Sequence, residues 1–421
     1  MKKLVFFSLI LLSFSALAQK SPMYPSYKGL VMCGYQGWFK ADGDTHGKAW
    51  GHYGHNGKFD PEHLTIDIYP DMREYKKQYP TDFINADGST ANIFSSSDQS
   101  TTDLHFKWMK DYQIDGAFMQ RFFSYIKNDQ AKIRPDLVIK HAFNSSQQHD
   151  RAIAIMYDLS GLKAGKDDCS TVIEDWKHLV DDLNVLNKGK KQTYLHHNGK
   201  PLVAIWGVGF PDRAYDIDQI KLQELIDFLK NDPVYGGCSV MLGIPTYFRE
   251  LKTDCSNDPY LHKIIEQVDV VLPWMVGRFN NDTFKNPTQY HNHVAADIEW
   301  CASKGVDYVP CVYPGFSWAN LRRTVKKMEV PYAEIPRQKG AFFWNQIYHT
   351  LDAGAEMLYV AMFDEVDEST AIFKCTDNPP VNAKFIDMEG MPSDHYLKLT
   401  QQAGKVLRGE AQLSESTYKM K

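Results

Sequence analysis

The residues best suited to chemistry in this chain are four carboxylates within five positions: Asp364, Glu365, Asp367 and Glu368. They directly follow an apolar run with strand character, residues 357–363. Like charges this close repel one another, and burying each is costly unless it is paired or protonated. Folding alone gives no reason for such a cluster. One protonated and one ionised carboxyl, however, are what acid/base cleavage of a glycosidic bond requires.

The spacing of the two glutamates predicts how they face each other. Residues three apart point to opposite faces of a strand, whereas on a helical turn they are neighbours. Glu365 and Glu368 therefore meet only if the strand ends at Glu365 and the chain turns at once. We expect Ala361, Phe363 and Glu365 to face inward and Asp364 to face away. A close carboxyl pair is typical of a retaining glycosidase, because an inverting enzyme needs room for a water between the two groups.

Two other interpretations of the acidic residues stay open. One is a solvated acidic loop, and the other is a cation site in which Asp364, Asp367 and Glu368 supply oxygen ligands. His291 and His293 form an HxH pair, but they fall in a segment with helical character. Residues two apart do not face each other on a helix. We therefore predict no metal ligands and no cofactor.

The elements that would position these carboxylates are short apolar runs separated by segments with helical periodicity. Eight such runs occur, at residues 29–35, 116–120, 152–157, 202–207, 239–244, 268–274, 308–313 and 357–363. Most are nearly continuous in apolar residues, as strands buried on both faces should be. Eight strands alternating with helices predict the α/β fold class and a (β/α)8 TIM barrel as one catalytic domain over residues 19–421. An open doubly wound sheet is the competing interpretation, but no glycine-rich phosphate loop follows the first strand.

The first connection of the predicted barrel is unusually long. It runs from about residue 39 to residue 115. Loops of that length in a compact domain are usually functional. Its polar, turn-rich stretch, residues 85–98, is expected to wall the mouth of the barrel.

Aromatic and hydrogen-bonding residues recur at the predicted ends of the strands and in the first loop. In a barrel of this kind the active site lies at the carboxyl ends of the strands. Sugar rings have apolar faces that stack on aromatic side chains and hydroxyls that need donors and acceptors. A set of aromatics that merely plugs the barrel is the alternative. We predict that the sugar cleft is lined by Tyr35, Trp38, Trp50, His52, Arg121, Tyr157, Trp206, Tyr247, Trp274 and Tyr313.

The ends and the bulk properties of the chain restrict its location and partners. Lys2 and Lys3, the apolar run 4–12 and the sequence Ala16-Leu17-Ala18 predict a signal peptide, residues 1–18. The protein is then exported, periplasmic or secreted, with no membrane span. A net charge of −5 without a basic stripe argues against nucleic acid. The seven cysteines form no CxxC pair, although one disulfide is open. We expect a monomer whose partner is an oligo- or polysaccharide.

Several blocks of the sequence resemble glycoside hydrolase family 99 and its wider family 71/99-like relatives. The blocks are residues 34–39 (Gly-Tyr-Gln-Gly-Trp-Phe), 50–52 (Trp-Gly-His), 194–207, 314–316 (Pro-Gly-Phe) and 363–370 (Phe-Asp-Glu-Val-Asp-Glu-Ser-Thr). The resemblance spans nearly the whole chain after residue 18. It implies a (β/α)8 barrel with retaining endo-α-mannosidase or endo-α-mannanase activity, which needs no metal for its chemistry.

The resemblance also implies roles for the two glutamates. The family's last strand ends in a motif like Asn-Glu-Trp-His-Glu-Gly-Thr, and its glutamates match Glu365 and Glu368. Glu368 would be the general acid/base on the glycosidic oxygen, with a raised pKa. Glu365 would stay ionised and act from the opposite side. It would be either a nucleophile or a base on the sugar's own 2-hydroxyl, which gives an epoxide-like intermediate.

This chain departs from the family at residues next to the glutamates. The family's Asn is Asp364 here, its Trp-His is Val366-Asp367, and the Tyr after Pro-Gly is Phe316. These departures keep the reaction class and predict a substrate that has diverged from mannose. The alternatives are a non-catalytic glycan-binding protein on a barrel scaffold and a metal-dependent hydrolase.

Overall fold

The structure is a computed structural model that describes residues 21–186 and 191–416. The predicted signal peptide, residues 1–18, lies outside the described residues. Within the described ranges, no helix is both long enough and apolar enough to cross a membrane. All seven cysteines are buried and unpaired, so the disulfide left open by the sequence is not formed.

Eight parallel strands form a closed barrel, as the sequence predicted. They are β1 (Val31–Tyr35), β2 (Gly116–Phe122), β3 (Ala152–Asp158), β4 (Lys200–Trp206), β5 (Ser239–Pro245), β6 (Val270–Trp274), β7 in two pieces (Asp307–Tyr308 and Cys311–Val312) and β8 (Leu358–Val360). Each of β1 to β6 pairs with the next, and β1 also pairs with β8. The two pieces of β7 complete the ring.

The closure occurs at Pro310, in the middle of β7. The first piece of β7 pairs with β6, and the second piece pairs with β8. Proline has no N–H to donate to a ladder, so the strand is interrupted there. The carbonyl of Pro310 instead accepts from the N–H of Tyr359 at 3.0 Å. The run 308–313, predicted as one strand, is therefore divided into two pieces that pair with different strands, β6 and β8.

Helices surround the barrel. The longer ones are α1 (Gln99–Asp111), α2 (Asp129–His149), α3 (Ser170–Asp181), α4 (Leu222–Asn231), α5 (Tyr260–Ile265), α6 (Thr288–Ser303), α7 (Ala341–Asp352) and α8 (His395–Leu407). Short helical turns span Phe123–Ile126, Ala319–Leu321, Met72–Glu74, Thr283–Lys285, Arg322–Lys326 and Gln338–Gly340. A two-residue strand, His196–His197, pairs antiparallel with β4.

The long first connection is folded rather than open. It contains an antiparallel hairpin, Tyr79–Ile84 with Thr90–Ile93, and then α1. Its Asp67 is fully buried and accepts hydrogen bonds from Ser317 Oγ and from the N–H groups of Ala319 (2.7 Å) and Asn320 (2.8 Å). These contacts fasten the loop to the segment after β7, so that the residues it carries have fixed positions above the barrel.

Candidate active site

A cavity of about 400 Å³ lies at the carboxyl ends of the strands. Its walls come from the ends of β1 to β4, β6 and β8 and from the first loop. The lining residues are Gln36, Trp38, His52, Gln120, Phe122, Ser124, Tyr125, Asp158, Ser160, Trp206, Trp274, Met362, Glu365 and Glu368. Both glutamates singled out from the sequence therefore reach one pocket.

Glu365 is held at the base of this pocket by two donors. The Nε2 amide of Gln36 donates to its Oε1 at 2.9 Å, and the Thr370 hydroxyl donates to its Oε2 at 2.9 Å. Its side chain is only 4% exposed. Hydrogen bonds to a carboxylate favour the ionised form, and these two also fix the direction in which the carboxyl points.

Glu368 has a different environment. Its backbone carbonyl accepts from the N–H of Ser317 at 3.0 Å, which anchors the main chain to the segment after β7. Its carboxyl lines the cavity, and within the described part of the chain no side chain donates a hydrogen bond to it. The carboxyl is therefore free to contact a bound molecule.

Burial raises the pKa of both glutamates. The pKa of Glu368 rises to about 7, because of burial and then the charge of Asp367. The pKa of Glu365 rises well above its ordinary value, because of burial, then the charge of Glu368, then that of Asp367. The expectation that Glu365 alone stays ionised is thus not met in the free protein. Since the first charge on such a pair opposes the second, the pair retains a proton near neutral pH.

Asp364 faces away from the cavity, as expected. It is fully buried, and its carboxyl accepts from the N–H groups of Gln36 at 2.7 Å and Gly37 at 2.9 Å. Burial raises its pKa to about 7. The contacts tie the end of β8 to the end of β1. They place the Gln36 side chain where it reaches Glu365.

Asp367 lies beside a residue of the first loop, His52. Its Oδ2 is 3.6 Å from His52 Nδ1, and His52 Nε2 is 3.1 Å from the Tyr125 hydroxyl. His52 has a φ of 62°, in the left-handed region that non-glycine residues rarely adopt. This backbone conformation lays its ring on Trp38, with centroids 4.0 Å apart and planes 7° apart.

Three tryptophans give the pocket its apolar surfaces. Trp38 has stacked contacts with His52, at 4.0 Å between ring centroids, and with Phe122, at 5.0 Å, and all three rings line the pocket. On the other side, Trp206 and Trp274 meet edge to face at 5.3 Å. The indole N–H groups of Trp38 and Trp206 find no hydrogen-bond partner among the described residues. Apolar ring faces beside carboxyl, amide and hydroxyl groups match the surface of a sugar.

Of the ten predicted lining residues, Trp38, His52, Trp206 and Trp274 lie at the pocket. Three others face the helices instead. The guanidinium of Arg121 donates to both carboxyl oxygens of Asp175 at 2.9 and 2.6 Å, and the Tyr157 hydroxyl donates to the same carboxyl at 3.0 Å. The Tyr35 hydroxyl is 2.8 Å from His105 Nδ1. All three are structural residues of the outer layer.

The remaining three lie in other packed regions. Trp50 packs against Tyr53 and Phe59 within the first loop. Tyr247 meets His293 edge to face at 5.2 Å, outside the cavity. The hydroxyl of the fully buried Tyr313 donates to the carbonyl of Phe279. The structure brings none of these to the pocket, and the stretch 85–98 of the first loop does not reach it either.

The alternation of side chains along a strand explains the misplaced residues. Successive side chains point to opposite faces, so Gln36, Gln120 and Asp158 line the cavity whereas their neighbours Tyr35, Arg121 and Tyr157 do not. Sequence reasoning missed these three polar residues, along with Phe122, Ser124, Tyr125, Ser160 and Met362. The alternation of side chains along a strand could have identified Gln36, Gln120 and Asp158, because each lies one position from a residue that was predicted to line the cleft.

The last strand also ends earlier than predicted. It stops at Val360, and Phe363 faces outward, with its ring 6.1 Å from that of Tyr35 and 5.5 Å from that of His105. Phe363 therefore does not share a face with Glu365. The glutamate reaches the cavity because the chain has left the strand before the acidic segment, residues 364–368, begins.

No group of three or more His, Cys, Asp or Glu side chains in residues 21–186 and 191–416 is arranged to hold a metal ion. The HxH pair of α6 is split between two partners. His291 Nε2 is 3.3 Å from Asp352, and His293 Nε2 is 3.2 Å from Asp297. The two imidazoles therefore make separate contacts.

Comparisons with known proteins agree with this architecture. No family model matches the chain, and no curated protein matches it by sequence. Among solved structures, a GH99 endo-α-mannosidase from Bacteroides thetaiotaomicron superposes with a TM-score of 0.62 at 14% identity, covering 91% of this chain and 99% of that one. The same enzyme in complex with bis-tris propane gives a TM-score of 0.61 at 14% identity, with 92% and 100% covered. At this identity the likeness establishes the shared barrel fold.

Proposed function

We propose that this protein is a retaining glycoside hydrolase that acts on an α-linked glycan or polysaccharide. One observation carries the proposal: Glu365 and Glu368 share a pocket with three tryptophans, in surroundings that keep a proton on the pair near neutral pH. A protonated and an ionised carboxyl beside a sugar-sized cavity are the groups that glycosidic cleavage uses. The barrel shared with an endo-α-mannosidase supports the choice of an α-linked substrate.

The contacts of the two carboxyls support different roles for them. Glu365 accepts hydrogen bonds from Gln36 and Thr370, which favour its ionised form when substrate is bound. Burial raises the pKa of both carboxyls in the free protein. Glu368 has no such donor and faces the cavity, so we assign the shared proton to Glu368 once substrate is bound. Glu368 then protonates the glycosidic oxygen as the bond to the anomeric carbon breaks. The leaving sugar departs with that proton.

Glu365 completes the first half of the reaction from the opposite side of the sugar ring. It either attacks the anomeric carbon directly or takes the proton of the sugar's 2-hydroxyl, whose oxygen then attacks. In both routes a water next adds to the anomeric carbon and gives a proton to Glu368. It displaces the Glu365 carboxylate in the first route, and in the second it breaks the bond between the anomeric carbon and the 2-oxygen, which takes its proton back from Glu365. The configuration is retained because two displacements occur at the same carbon.

The surroundings of Glu365 support a substrate that has diverged from mannose. By the resemblance, Phe316 replaces a tyrosine of family 99, and it lies outside the cavity that Glu365 lines. In this chain the Glu365 carboxyl accepts its side-chain hydrogen bonds from Gln36 and Thr370. We propose, from the signal sequence of residues 1–18, that the protein is exported and meets its glycan in the periplasm or outside the cell.

The proposal is tested by screening the protein without residues 1–18 against α-linked bacterial, fungal and plant polysaccharides, with and without EDTA. The matched control is the Glu365→Gln/Glu368→Gln double variant. We expect reducing sugar to be released by the wild type alone, at the same rate with EDTA present. Release by both proteins would contradict the role of the glutamates. Retention of a polysaccharide by both proteins on an affinity gel, with no release, would identify a binding protein.

A further inference from the structure

A concentration of positive charge lies on the short helical turn after β7, Arg322–Lys326, and on the residue that follows it. Six consecutive positions hold four cations, Arg322, Arg323, Lys326 and Lys327. Because the concentration is local, a chain with a net charge of −5 still shows no extended basic stripe. None of these residues lines the candidate active site, and the function proposed for that site makes no use of them.

The turn is fastened to the first loop. Thr324 is the one residue of the turn that is buried, and its hydroxyl donates to the carbonyl of Leu64 at 2.6 Å. Just before the turn, the amide of Asn320 donates to the carbonyls of Ile66 at 2.9 Å and Lys384 at 3.0 Å. The residues on either side of Thr324 are therefore presented to solvent from an anchored backbone.

The cations of the turn have no acidic partner. In residues 21–186 and 191–416, no carboxylate lies within ion-pair distance of any of the four. The guanidinium of Arg322 lies over the Trp318 ring at 4.2 Å, and Arg323 Nη1 is 3.5 Å from the Tyr332 hydroxyl. The ammonium of Lys384, which has no carboxylate partner in the described ranges either, lies 4.2 Å from the centroid of the same Tyr332 ring. We call these five cations, Arg322, Arg323, Lys326, Lys327 and Lys384, the basic patch.

The carboxylates that follow the turn in the chain do not neutralise the basic patch. Glu329 is exposed, and Glu334 accepts a hydrogen bond from the indole N–H of Trp318 at 2.8 Å. Neither carboxylate lies within ion-pair distance of a cation of the patch. Five cations beside two exposed carboxylates leave a positive surface, which attracts a partner with many negative charges.

Apolar side chains within the turn narrow the chemistry of that partner. Val325 and Met328 lie on either side of Lys326 and Lys327 and are 36% and 47% exposed. The partly exposed Trp318 ring lies beside them under Arg322. A hydrated polyanion offers nothing to such groups. A bilayer interface takes apolar side chains at its acyl boundary, holds indole rings at headgroup level and offers lipid phosphates to lysine and arginine.

We propose that the basic patch, together with Val325 and Met328, docks this protein on the surface of a lipid bilayer that contains anionic phospholipids. Two apolar side chains suffice to enter the interface and are far too few to span it. The patch belongs to the segment whose Ser317 N–H donates to the carbonyl of Glu368 at 3.0 Å. Docking therefore holds the end of the barrel that carries the candidate active site beside the lipid surface. The inference does not depend on the proposed function.

The first test is co-sedimentation of the protein without residues 1–18 with vesicles. One set is phosphatidylcholine alone, and the other is equimolar phosphatidylcholine and phosphatidylglycerol. We expect binding only to the vesicles with phosphatidylglycerol, and weaker binding at high salt because salt screens the attraction. Absence of binding to these vesicles, or equal binding to both sets, would overturn the inference.

The second test asks whether the basic patch is the contact. Lys326→Gln/Lys327→Gln should weaken vesicle binding by at least about tenfold, because each cation near an anionic lipid surface adds to the attraction. The matched control is Lys110→Gln/Lys140→Gln, which removes two exposed lysines of α1 and α2 that also have no carboxylate partner in the described ranges. The control should bind as the wild type does. Equal losses in the two variants would show an effect of net charge alone and refute the patch.

The third test distinguishes a bilayer from a polyanion. Val325→Ser/Met328→Ser retains every charge of the patch, so it should weaken vesicle binding by about fivefold through the lost apolar contact. The comparison ligand is polygalacturonate, a polyanion without an apolar phase. Vesicle binding that this variant leaves unchanged, or tighter binding to polygalacturonate than to the vesicles, would identify a polyanion site and overturn the bilayer as the partner.

Discussion

The four acidic residues after β8 have four different environments. Asp364 accepts two backbone N–H groups, Glu365 accepts one amide and one hydroxyl, Asp367 lies beside His52, and Glu368 faces the cavity. Four carboxyl groups of the same chemistry therefore have different contacts, because their side chains point in different directions. The difference decides which carboxyl is structural and which is free to exchange a proton with a substrate.

The pH dependence of turnover follows from Glu368. A general acid works only while protonated, and the pKa of Glu368 is raised to about 7. We expect kcat/KM to fall about tenfold per pH unit above pH 7. In Glu368→Gln, kcat should fall by about 10²- to 10⁴-fold and this alkaline limb should disappear. A Glu368→Gln protein with wild-type turnover would remove Glu368 from the mechanism.

Gln36 is expected to act through Glu365. Gln36→Leu removes the amide that donates to Glu365 Oε1 at 2.9 Å, so the ionised form of Glu365 loses a hydrogen bond. Its pKa should then rise, and the acid limb of the kcat/KM profile should move to higher pH, with kcat lower by about tenfold. The control is Gln78→Leu, far along the first loop. Identical kcat/KM profiles for Gln36→Leu and the wild type would show that the hydrogen bond from Gln36 does not affect the pKa of Glu365.

At the scale of elements, the site depends on which face of each strand looks inward. β2 offers Gln120 and Phe122 to the cavity and sends Arg121 between α2 and α3. β3 offers Asp158 and sends Tyr157 to the same carboxyl that Arg121 binds. The inner residues make the pocket, and the outer ones fasten the strands to the helices.

Arg121 therefore affects stability rather than sugar binding. It is fully buried, 2.6 Å from Asp175 and 2.7 Å from Asp136. Arg121→Met leaves the buried Asp175 with only the Tyr157 hydroxyl and Asp136 with only His178, and should lower the free energy of unfolding by about 3–5 kcal/mol, measured with urea. Lys285→Met, which breaks an exposed pair with Asp282, should leave the free energy of unfolding nearly unchanged. A rise in KM of folded Arg121→Met with unchanged stability would restore its role as a sugar contact.

At the scale of the whole molecule, the pocket and the chain segment beside it hold four carboxyls that resist ionisation. Burial raises the pKa of Asp158, Asp364, Glu365 and Glu368. A carboxyl whose pKa is higher in the folded than in the unfolded chain gives stability that is present at low pH. That stability is lost as pH rises through the folded value. The site is thus maintained at a cost to the fold that increases toward alkaline pH.

The cost is measurable at one residue. Glu368 has a pKa of about 7 in the fold against 4.5 in its ordinary state. Glu368→Gln cannot ionise and should stabilise the protein at pH 8 by up to about 3 kcal/mol. At pH 4 the two proteins should be equally stable. Urea unfolding at both values tests this, with the exposed Glu62→Gln as control. A Glu368→Gln protein less stable than the wild type at pH 8 would contradict the burial of this carboxyl.

The sequence by itself determined the strands and the acidic segment. Strands buried on both faces are nearly continuous apolar runs, so their number and order are visible along the chain. Glu365 and Glu368 were identified because four adjacent carboxylates have no structural reason to follow such a run. Asp364 faces away from the cavity as predicted, although the inward-facing Phe363 on which that prediction was based points outward.

Only the tertiary structure decided which other residues meet the glutamates. A run that is apolar on both faces carries no alternation, so the sequence could not tell Gln120 from Arg121 or Asp158 from Tyr157. The early end of β8 at Val360 depends on contacts with β1 and β7, far away in the chain. The same holds for His52, which reaches the pocket because Asp67 anchors the first loop beside residues 317–320. Long-range packing, which no local pattern encodes, sets these positions.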